Sequence, residues 1–256
     1  MSVLGHLNTR ASQAVLSDIE KGSIEKSIAT LKSRLTAYFG TNITAHFQFG
    51  SSTRGTILPR AMDAHSDIDY MVVFKEGGYT PQTYLDRLRK FVEKYYSTSE
   101  ISQSNPTIVL NLNHIRFELV PALASAWIAG QYQIPKGPSQ WQDTNPNDFN
   151  SKLTSKNNSE KSLIKPTIRL AKYWNAKAGF VYDSYGFEKW IVDLSFWGCS
   201  NQTDYLFKVF DSLNLPSQQG HAQKVQRAKD IIKQVRAHEQ NGMPVSAETE
   251  VKKLIP

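Results

Sequence analysis

The chain has 256 residues and a mass of 28.9 kDa, with 40% hydrophobic and 21% charged residues and a net charge of +7. This balance is typical of a folded globular protein and excludes a wholly disordered chain. A single cysteine, Cys199, excludes an internal disulfide and a cysteine-rich zinc site. The start lacks a signal peptide and no apolar run approaches the roughly 18 residues that span a bilayer, so we expect a cytoplasmic protein with no membrane partner.

The first part of the chain is predicted to mix helices and strands. Residues 12–39 carry apolar side chains at helical spacing and predict one long helix, bent or interrupted at Gly22-Ser23. Further elements are indicated by alternation, helical periodicity and turn residues. They are strands at Ile43–Phe49 and Ile68–Phe74, a helix at 81–96, and a β-hairpin of Thr107–Leu112 and Ile115–Val120 that turns at Asn113-His114.

The second part of the chain is predicted to be helical. Residues 135–160 are rich in Pro, Asn, Ser and Asp and are interpreted as a connector. Helices are predicted beyond it at 160–178, 186–199, 202–213, 219–240 and 246–254. The fold class is therefore α+β, with a mixed β-sheet lobe and flanking helices in residues 1–150 and an all-helical lobe in residues 151–256.

Three carboxylates are candidates for a metal site. Asp67 and Asp69 lie two positions apart in a predicted strand, so their side chains project from the same face. Their Cα atoms should be roughly 6.5–7 Å apart. Glu118 alternates with apolar residues in a later strand and can face the aspartates if the two strands pair. Clustered carboxylates repel each other unless cations lie between them, and Mg²⁺ suits such oxygen donors. The pattern predicts a site for two divalent ions.

A small-residue turn, Gly50-Ser51, precedes the aspartates and suits a triphosphate. Glycine lets backbone N–H groups approach phosphate oxygens, and serine adds a hydroxyl donor. The run Gly50–Thr56 also imitates the start of a P-loop, but Thr56 stands where lysine is required, so a P-loop NTPase is excluded.

Together these residues resemble a known superfamily, the DNA polymerase beta-type nucleotidyltransferases. Three motifs carry a closer resemblance: Gly-Ser-x-x-Arg-Gly-Thr from Gly50, Ser-Asp-Ile-Asp from Ser66, and Glu-Leu-Val-Pro-Ala from Glu118. Through these motifs the chain is similar to one branch of that superfamily, the bacterial cGAS/DncV-like nucleotidyltransferases. The resemblance implies a Mg²⁺-dependent enzyme, with Mn²⁺ as a substitute ion. It also implies synthesis of a cyclic di- or oligonucleotide second messenger from nucleoside triphosphates, in bacterial anti-phage (CBASS-type) signalling, where a separate effector binds the product.

Two shorter matches extend the resemblance to the helical lobe. Lys172-Tyr173-Trp174-Asn175 resembles the family's Lys-x-Trp-Asn helix, which implies that Lys172 contacts the triphosphate. Ser184-Tyr185 resembles the segment that follows, which implies that Ser184 contacts phosphate and that the Tyr185 ring stacks on the donor base. One departure is Glu118, since most members have aspartate there.

Each assignment has a plainer alternative. Lys172 is alternatively a solvated lysine beside a core Trp174, and Ser184 and Tyr185 are alternatively a helix cap and a core aromatic. Arg54 is either a phosphate ligand or part of a structural ion pair. The basic stretch within 224–236 is either a solvated face or the site of a nucleic-acid activator.

The functional alternatives are also open at this point. One is the transfer of a single nucleotide to tRNA or a protein. The other is an inactive nucleotide- or RNA-binding module that retains the fold.

Overall fold

The computed structural model describes residues 2–256, which divide into two compact units. The sheet unit comprises Leu16–Arg60 and Ala64–Asn150. The helical unit comprises the chain up to Val15, the short segment Ala61–Asp63, and Ser151–Pro256. The predicted α+β class is confirmed. The first helix and residues 61–63 group with the helical unit, whereas the sequence placed them in the lobe of residues 1–150.

The sheet unit is built on a mixed seven-stranded sheet with the order β1-β2-β5-β4-β3, and β6 and β7 extend it from β5. All neighbours pair antiparallel except β2 and β5, which are parallel. The strands are β1 (Ile43–Phe49), β2 (Asp67–Phe74), β3 (Glu100–Ser104), β4 (Thr107–Asn111), β5 (Arg116–Ala124), β6 (Tyr132–Pro135) and β7 (Trp141–Thr144).

One face of this sheet is covered by two helices of the same unit, α2 (Asp18–Phe39) and α4 (Pro81–Tyr95). Their apolar side chains form one core with alternate residues of β2, β4 and β5, because successive strand residues point to opposite faces. Ile68, Tyr70 and Phe117 belong to this buried face. The intervening residues, Asp67, Asp69 and Glu118, therefore lie on the opposite face.

The helical unit contains α1 (Val3–Gln13) and the helices that follow the sheet. Those are α5 (Asp148–Ser159, which begins at the end of the sheet unit), α6 (Ile164–Lys177), α7 (Ser184–Asp193), α8 (Gln202–Ser212), α9 (Gln219–Gln240) and α10 (Pro244–Leu254). α1 packs against α6, α8 and α10. In the described part of the chain, no helix combines the length and apolar character needed to cross a membrane.

Several predicted boundaries are wrong. The single helix over 12–39 is two helices, and the break lies at Ala14–Ser17 rather than at Gly22-Ser23. Ser17 begins α2 with a capping box, in which its hydroxyl accepts from the Glu20 N–H and Glu20 accepts from the Ser17 N–H. This reciprocal cap is a start signal that apolar periodicity overlooks.

The connector predicted at 135–160 is also wrong, because β6 and β7 form a hairpin that turns over Lys136–Gln140 and α5 follows it. The hairpin's strands have only four residues each, too few to establish an alternating pattern. The predicted helix at 186–199 is displaced: α7 begins at Ser184 and ends at Asp193, where Leu194 adopts an extended backbone.

Candidate active site

The register of the two parallel strands brings the acidic residues together. Asp69 on β2 lies opposite Glu118 on β5, and Asp67 lies opposite Arg116. Because side chains two residues apart share a face, all three carboxylates project from the same side of the sheet. This confirms the predicted pairing of the Glu118 strand beside the aspartates.

A guanidinium group occupies the centre of this cluster. Arg116 Nη2 donates to Asp67 Oδ2 at 3.0 Å and to Glu118 Oε1 at 2.7 Å. The side chains of these three residues are only 21–25% exposed. The sequence analysis assigned no role to Arg116, although strand alternation already placed it on the side of Glu118.

The environment of Glu118 favours its protonated form. Burial raises the pKa of this carboxyl, and the negative charge of Asp67 raises it further, while Arg116 and a hydrogen bond from Thr107 act in the opposite direction. Burial and the neighbouring carboxylate of Asp67 thus both disfavour the ionised form of Glu118.

The turn before the aspartates is shaped for close approach. Gly50 has φ +76° and ψ −155°, a backbone region that is essentially restricted to glycine. A Cβ built on Gly50 would lie 2.7 Å from Asp69 Cγ and would overlap the nearer carboxylate oxygen. Glycine is required here both for the backbone conformation and for the space that the Asp69 carboxylate occupies.

The residues after Gly50 form a short helix, α3 (Ser51–Arg54). The Ser51 carbonyl accepts from the N–H groups of Thr56 and Ile57 at 3.0 and 3.2 Å, which closes the turn. Arg54 is buried, with its guanidinium 5.5 Å from the centre of the Phe149 ring. This placement favours the structural interpretation of Arg54 over phosphate binding.

The chemistry of these side chains, more than their arrangement, suits a divalent cation. Among residues 2–256, no group of three His, Cys, Asp or Glu side chains is arranged to hold a metal ion. Two of the three carboxylates are instead joined through the positive charge of Arg116. Carboxylate oxygens are nevertheless the ligands that Mg²⁺ takes in proteins, and the guanidinium shows that the cluster accepts a positive charge. The residues therefore fit such an ion in their chemistry.

In the helical unit, Lys172 is a buried charge rather than a solvated one. Its side chain is 8% exposed and its Nζ donates at 2.8 Å to Oε1 of Glu188, which is 1% exposed. The pair joins α6 to α7. The alternative of a solvated lysine is wrong, and the triphosphate contact stays a prediction. The sequence analysis did not identify Glu188.

The alternatives for Ser184 and Tyr185 are also wrong. The cap of α7 is Asp183, whose carboxylate accepts from the Gly186 N–H at 2.6 Å, and Ser184 is the first helical residue. Tyr185 is 44% exposed rather than a core residue, and the Lys189 amine lies 5.5 Å from its ring centre. An accessible ring is compatible with base stacking, which stays a prediction.

Some basic residues of α9 contact Asp211, and others are exposed to solvent. Arg236 forms a two-point ion pair with Asp211, and Lys229 donates to the Asp211 carbonyl. Lys224, Arg227 and Lys233 are exposed. The nucleic-acid activator predicted for this surface stays a prediction.

Comparison with known proteins identifies the family. Residues 1–157 match the model of the Second Messenger Oligonucleotide or Dinucleotide Synthetase (SMODS) domain. The chain belongs to the SMODS family. The resemblance to cGAS/DncV-like nucleotidyltransferases is thereby confirmed, and the matched residues include the Gly50 turn and all three carboxylates.

Individual relatives of this SMODS chain agree with that assignment. A probable cyclic nucleotide synthase of Bacillus cereus strain VD146 is 29% identical over 182 residues, which are 57% of this chain and 54% of the relative. The chain thus spans about half the length of the curated relative it matches.

Among solved structures, Escherichia coli MS115-1 CdnC with ATP aligns with a TM-score of 0.71 at 15% identity, over 98% of this chain and 97% of that one. Bradyrhizobium diazoefficiens CdnG with GTP aligns with a TM-score of 0.72 at 11% identity, over 96% and 97%. At these identities the likeness shows that the SMODS chain shares their fold.

Proposed function

We propose that the chain is a Mg²⁺-dependent nucleotidyltransferase that makes a cyclic di- or oligonucleotide second messenger from nucleoside triphosphates. The observation that carries this proposal is the register of β2 and β5, which sets Asp69 opposite Glu118 with Asp67 on the same face. Family membership and the fold shared with CdnC and CdnG support it.

The three carboxylates have the central role in the proposed reaction. Asp67, Asp69 and Glu118 would hold two Mg²⁺ ions, which, when bound, lower the pKa of the acceptor hydroxyl and neutralise charge on the phosphates. The acceptor oxygen bonds to the α-phosphorus, the bond from that phosphorus to the bridging oxygen breaks, and pyrophosphate leaves. We assign the hydroxyl proton to a Glu118 oxygen, because a carboxylate within reach of the acceptor hydroxyl can serve as its general base.

The remaining candidate residues would bind the nucleotide. At Gly50 no side chain separates the backbone from the Asp69 carboxylate, and a glycine backbone allows close approach of a phosphate to its N–H groups. The Ser51 and Ser184 hydroxyls and the Lys172 amine supply donors and positive charge for the triphosphate, and the Tyr185 ring stacks on the base. Holding the reactants in line and neutralising the phosphates supply most of the acceleration in this chemistry.

Mass spectrometry of a reaction with ATP, GTP, CTP, UTP and Mg²⁺ tests the proposal. The wild-type chain is expected to release pyrophosphate and a cyclic product. Asp69→Asn should abolish both, while its melting temperature without metal stays unchanged or rises, because one repelling charge is removed. Asp143→Asn is the matched control, since Asp143 lies on β7 of the same unit, away from the acidic cluster, and its carboxylate accepts a hydrogen bond from Gln133.

The same reaction separates the competing functions. Incorporation of label into added tRNA or protein, with no cyclic product, would favour single-nucleotide transfer. Nucleotide binding without turnover would favour an inactive module. Full synthesis by Asp69→Asn would remove Asp69 from the mechanism.

The biological role follows from the same resemblance. We propose that the product signals in bacterial anti-phage defence, that a separate effector binds it, and that Mn²⁺ can replace Mg²⁺. Plaque counts on cells carrying the natural locus should rise when the chain carries Asp69→Asn. Equal counts with either form would contradict a defence role and leave the enzymatic proposal intact.

A further inference from the structure

The environment of Arg116 is the least explained feature of the acidic cluster. Its Nη2 atom alone serves both Asp67 and Glu118, at 3.0 and 2.7 Å. Its Nε atom is buried and has no hydrogen-bond partner. Arg236, by contrast, pairs two nitrogens with the two oxygens of Asp211, the two-point geometry that arginine–carboxylate pairs frequently adopt.

The strand register explains how this arrangement arises. Arg116 lies opposite Asp67 across the β2–β5 pairing, and Glu118 is two residues further along the same strand. The guanidinium therefore extends along the face of the sheet and reaches both carboxylates from one side.

The positive charge of Arg116 offsets the repulsion between two carboxylates. Asp67 and Glu118 are partly buried and repel each other, and the arginine charge offsets that repulsion. A divalent cation bound by the same oxygens would offset it as well. The arginine and such an ion would compete for these two carboxylates, so the presence of one would disfavour the other.

We propose that Arg116 is a positioning residue that holds Asp67 and Glu118 together in the metal-free protein and is displaced when a divalent cation binds. This inference depends on the proposed function, because it assumes that the two carboxylates are metal ligands. The Arg116 guanidinium would thus keep the two carboxylates positioned before a metal ion binds. Because it competes with the ion, it would also lower the affinity of the chain for metal.

Thermal unfolding during a Mn²⁺ titration tests the inference without measuring activity. Arg116→Gln should melt at a lower temperature than wild type without metal, because the carboxylates lose their counter-charge. Its Mn²⁺-induced rise in melting temperature should be larger, and its Kd for Mn²⁺ about tenfold lower, since a unit charge near the ion has been removed. Arg116→Lys retains the charge and should bind Mn²⁺ with a Kd closer to that of wild type.

The controls separate this inference from the proposed function. Arg236→Gln removes an arginine–carboxylate pair in the helical unit and should respond to Mn²⁺ as wild type does. Asp69→Asn removes the third proposed metal ligand and should therefore show a weaker Mn²⁺ response than wild type. If Arg116→Gln is unfolded without metal, the inference requires that Mn²⁺ restores its folding, and failure to do so overturns it.

Two results would overturn the inference in different ways. An equal or smaller Mn²⁺ response in Arg116→Gln, beside a clear response in wild type, overturns the role of Arg116 and leaves the metal site standing. A wild-type response no larger than that of Asp69→Asn overturns the metal site and the inference together.

Discussion

Substituting Gly50 by alanine tests how tightly the turn is fitted to the Asp69 carboxylate. The backbone at φ +76° and ψ −155° is essentially reserved for glycine, and a side chain there costs about 1–3 kcal/mol. The added Cβ would lie 2.7 Å from Asp69 Cγ, an overlap of the kind that costs about 1–3 kcal/mol in packed sites. Together these terms predict a loss of roughly 2–6 kcal/mol in the free energy of unfolding.

Gly55→Ala is the matched control, measured by urea unfolding beside Gly50→Ala. Gly55 also has a positive φ, +72°, but a Cβ there would meet nothing within 4 Å. Its cost should be that of the left-handed backbone alone, about 1–2 kcal/mol. The difference between the two variants combines the overlap with Asp69 and the more restricted backbone of Gly50.

A double mutant then isolates the carboxylate. In an Asp69→Ala background the overlapping carboxyl atoms are gone and only the Cβ of residue 69, 3.0 Å from the added Cβ, remains, so Gly50→Ala should cost clearly less than in the wild-type chain. The reasoning is refuted if Gly50→Ala is no more destabilising than Gly55→Ala, or if its cost is the same with and without the Asp69 carboxylate.

Three further predictions concern stability. Tyr205→Phe removes a 2.6 Å hydrogen bond from the tyrosine hydroxyl to Glu160, and that bond lowers the pKa of the Glu160 carboxyl. The free energy of unfolding should therefore fall by about 1.5–3 kcal/mol at neutral pH. This destabilisation should decrease as the pH falls through the lowered pKa of Glu160, because the hydrogen bond stabilises the fold most while the carboxylate is ionised. Acid unfolding that shows the same destabilisation at every pH would contradict this. Lys172→Met removes the buried ion pair with Glu188 and should lower the free energy of unfolding by about 3–5 kcal/mol in urea unfolding, most of it recovered by adding Glu188→Leu. A folded double variant with full synthesis would remove Lys172 from triphosphate binding. Ser17→Ala removes the cap of α2 and should cost about 1 kcal/mol by thermal unfolding, and no change would mean that the cap does not set the helix start.

The acidic cluster was predictable because one local rule governs it. Asp67 and Asp69 share a face by strand alternation, and Glu118 follows the same alternation on its own strand. The hairpin that contains Glu118 was confirmed, since β4 and β5 pair antiparallel around the predicted turn. The contact of Arg116 with two carboxylates could not be predicted, because alternation gives the face of a side chain but not the neighbour it selects.

Elements without a strong apolar pattern were missed. The edge strand β3, Glu100–Ser104, is mostly exposed and polar, so no alternation marks it. The division into units was unpredictable for another reason. α1 joins the helical unit through packing with α6, α8 and α10, which are contacts between residues far apart in sequence.

The parallel pairing of β2 and β5 also has a consequence for biosynthesis. Asp67 and Arg116 are 49 positions apart, and the strands that carry them are joined through a helix and two other strands. A one-residue slip in this pairing would turn Glu118 into the apolar interior. A chain emerging from the ribosome therefore has no assembled acidic cluster until β5 has been translated and docked, so its appearance would report completion of the sheet's central pairing.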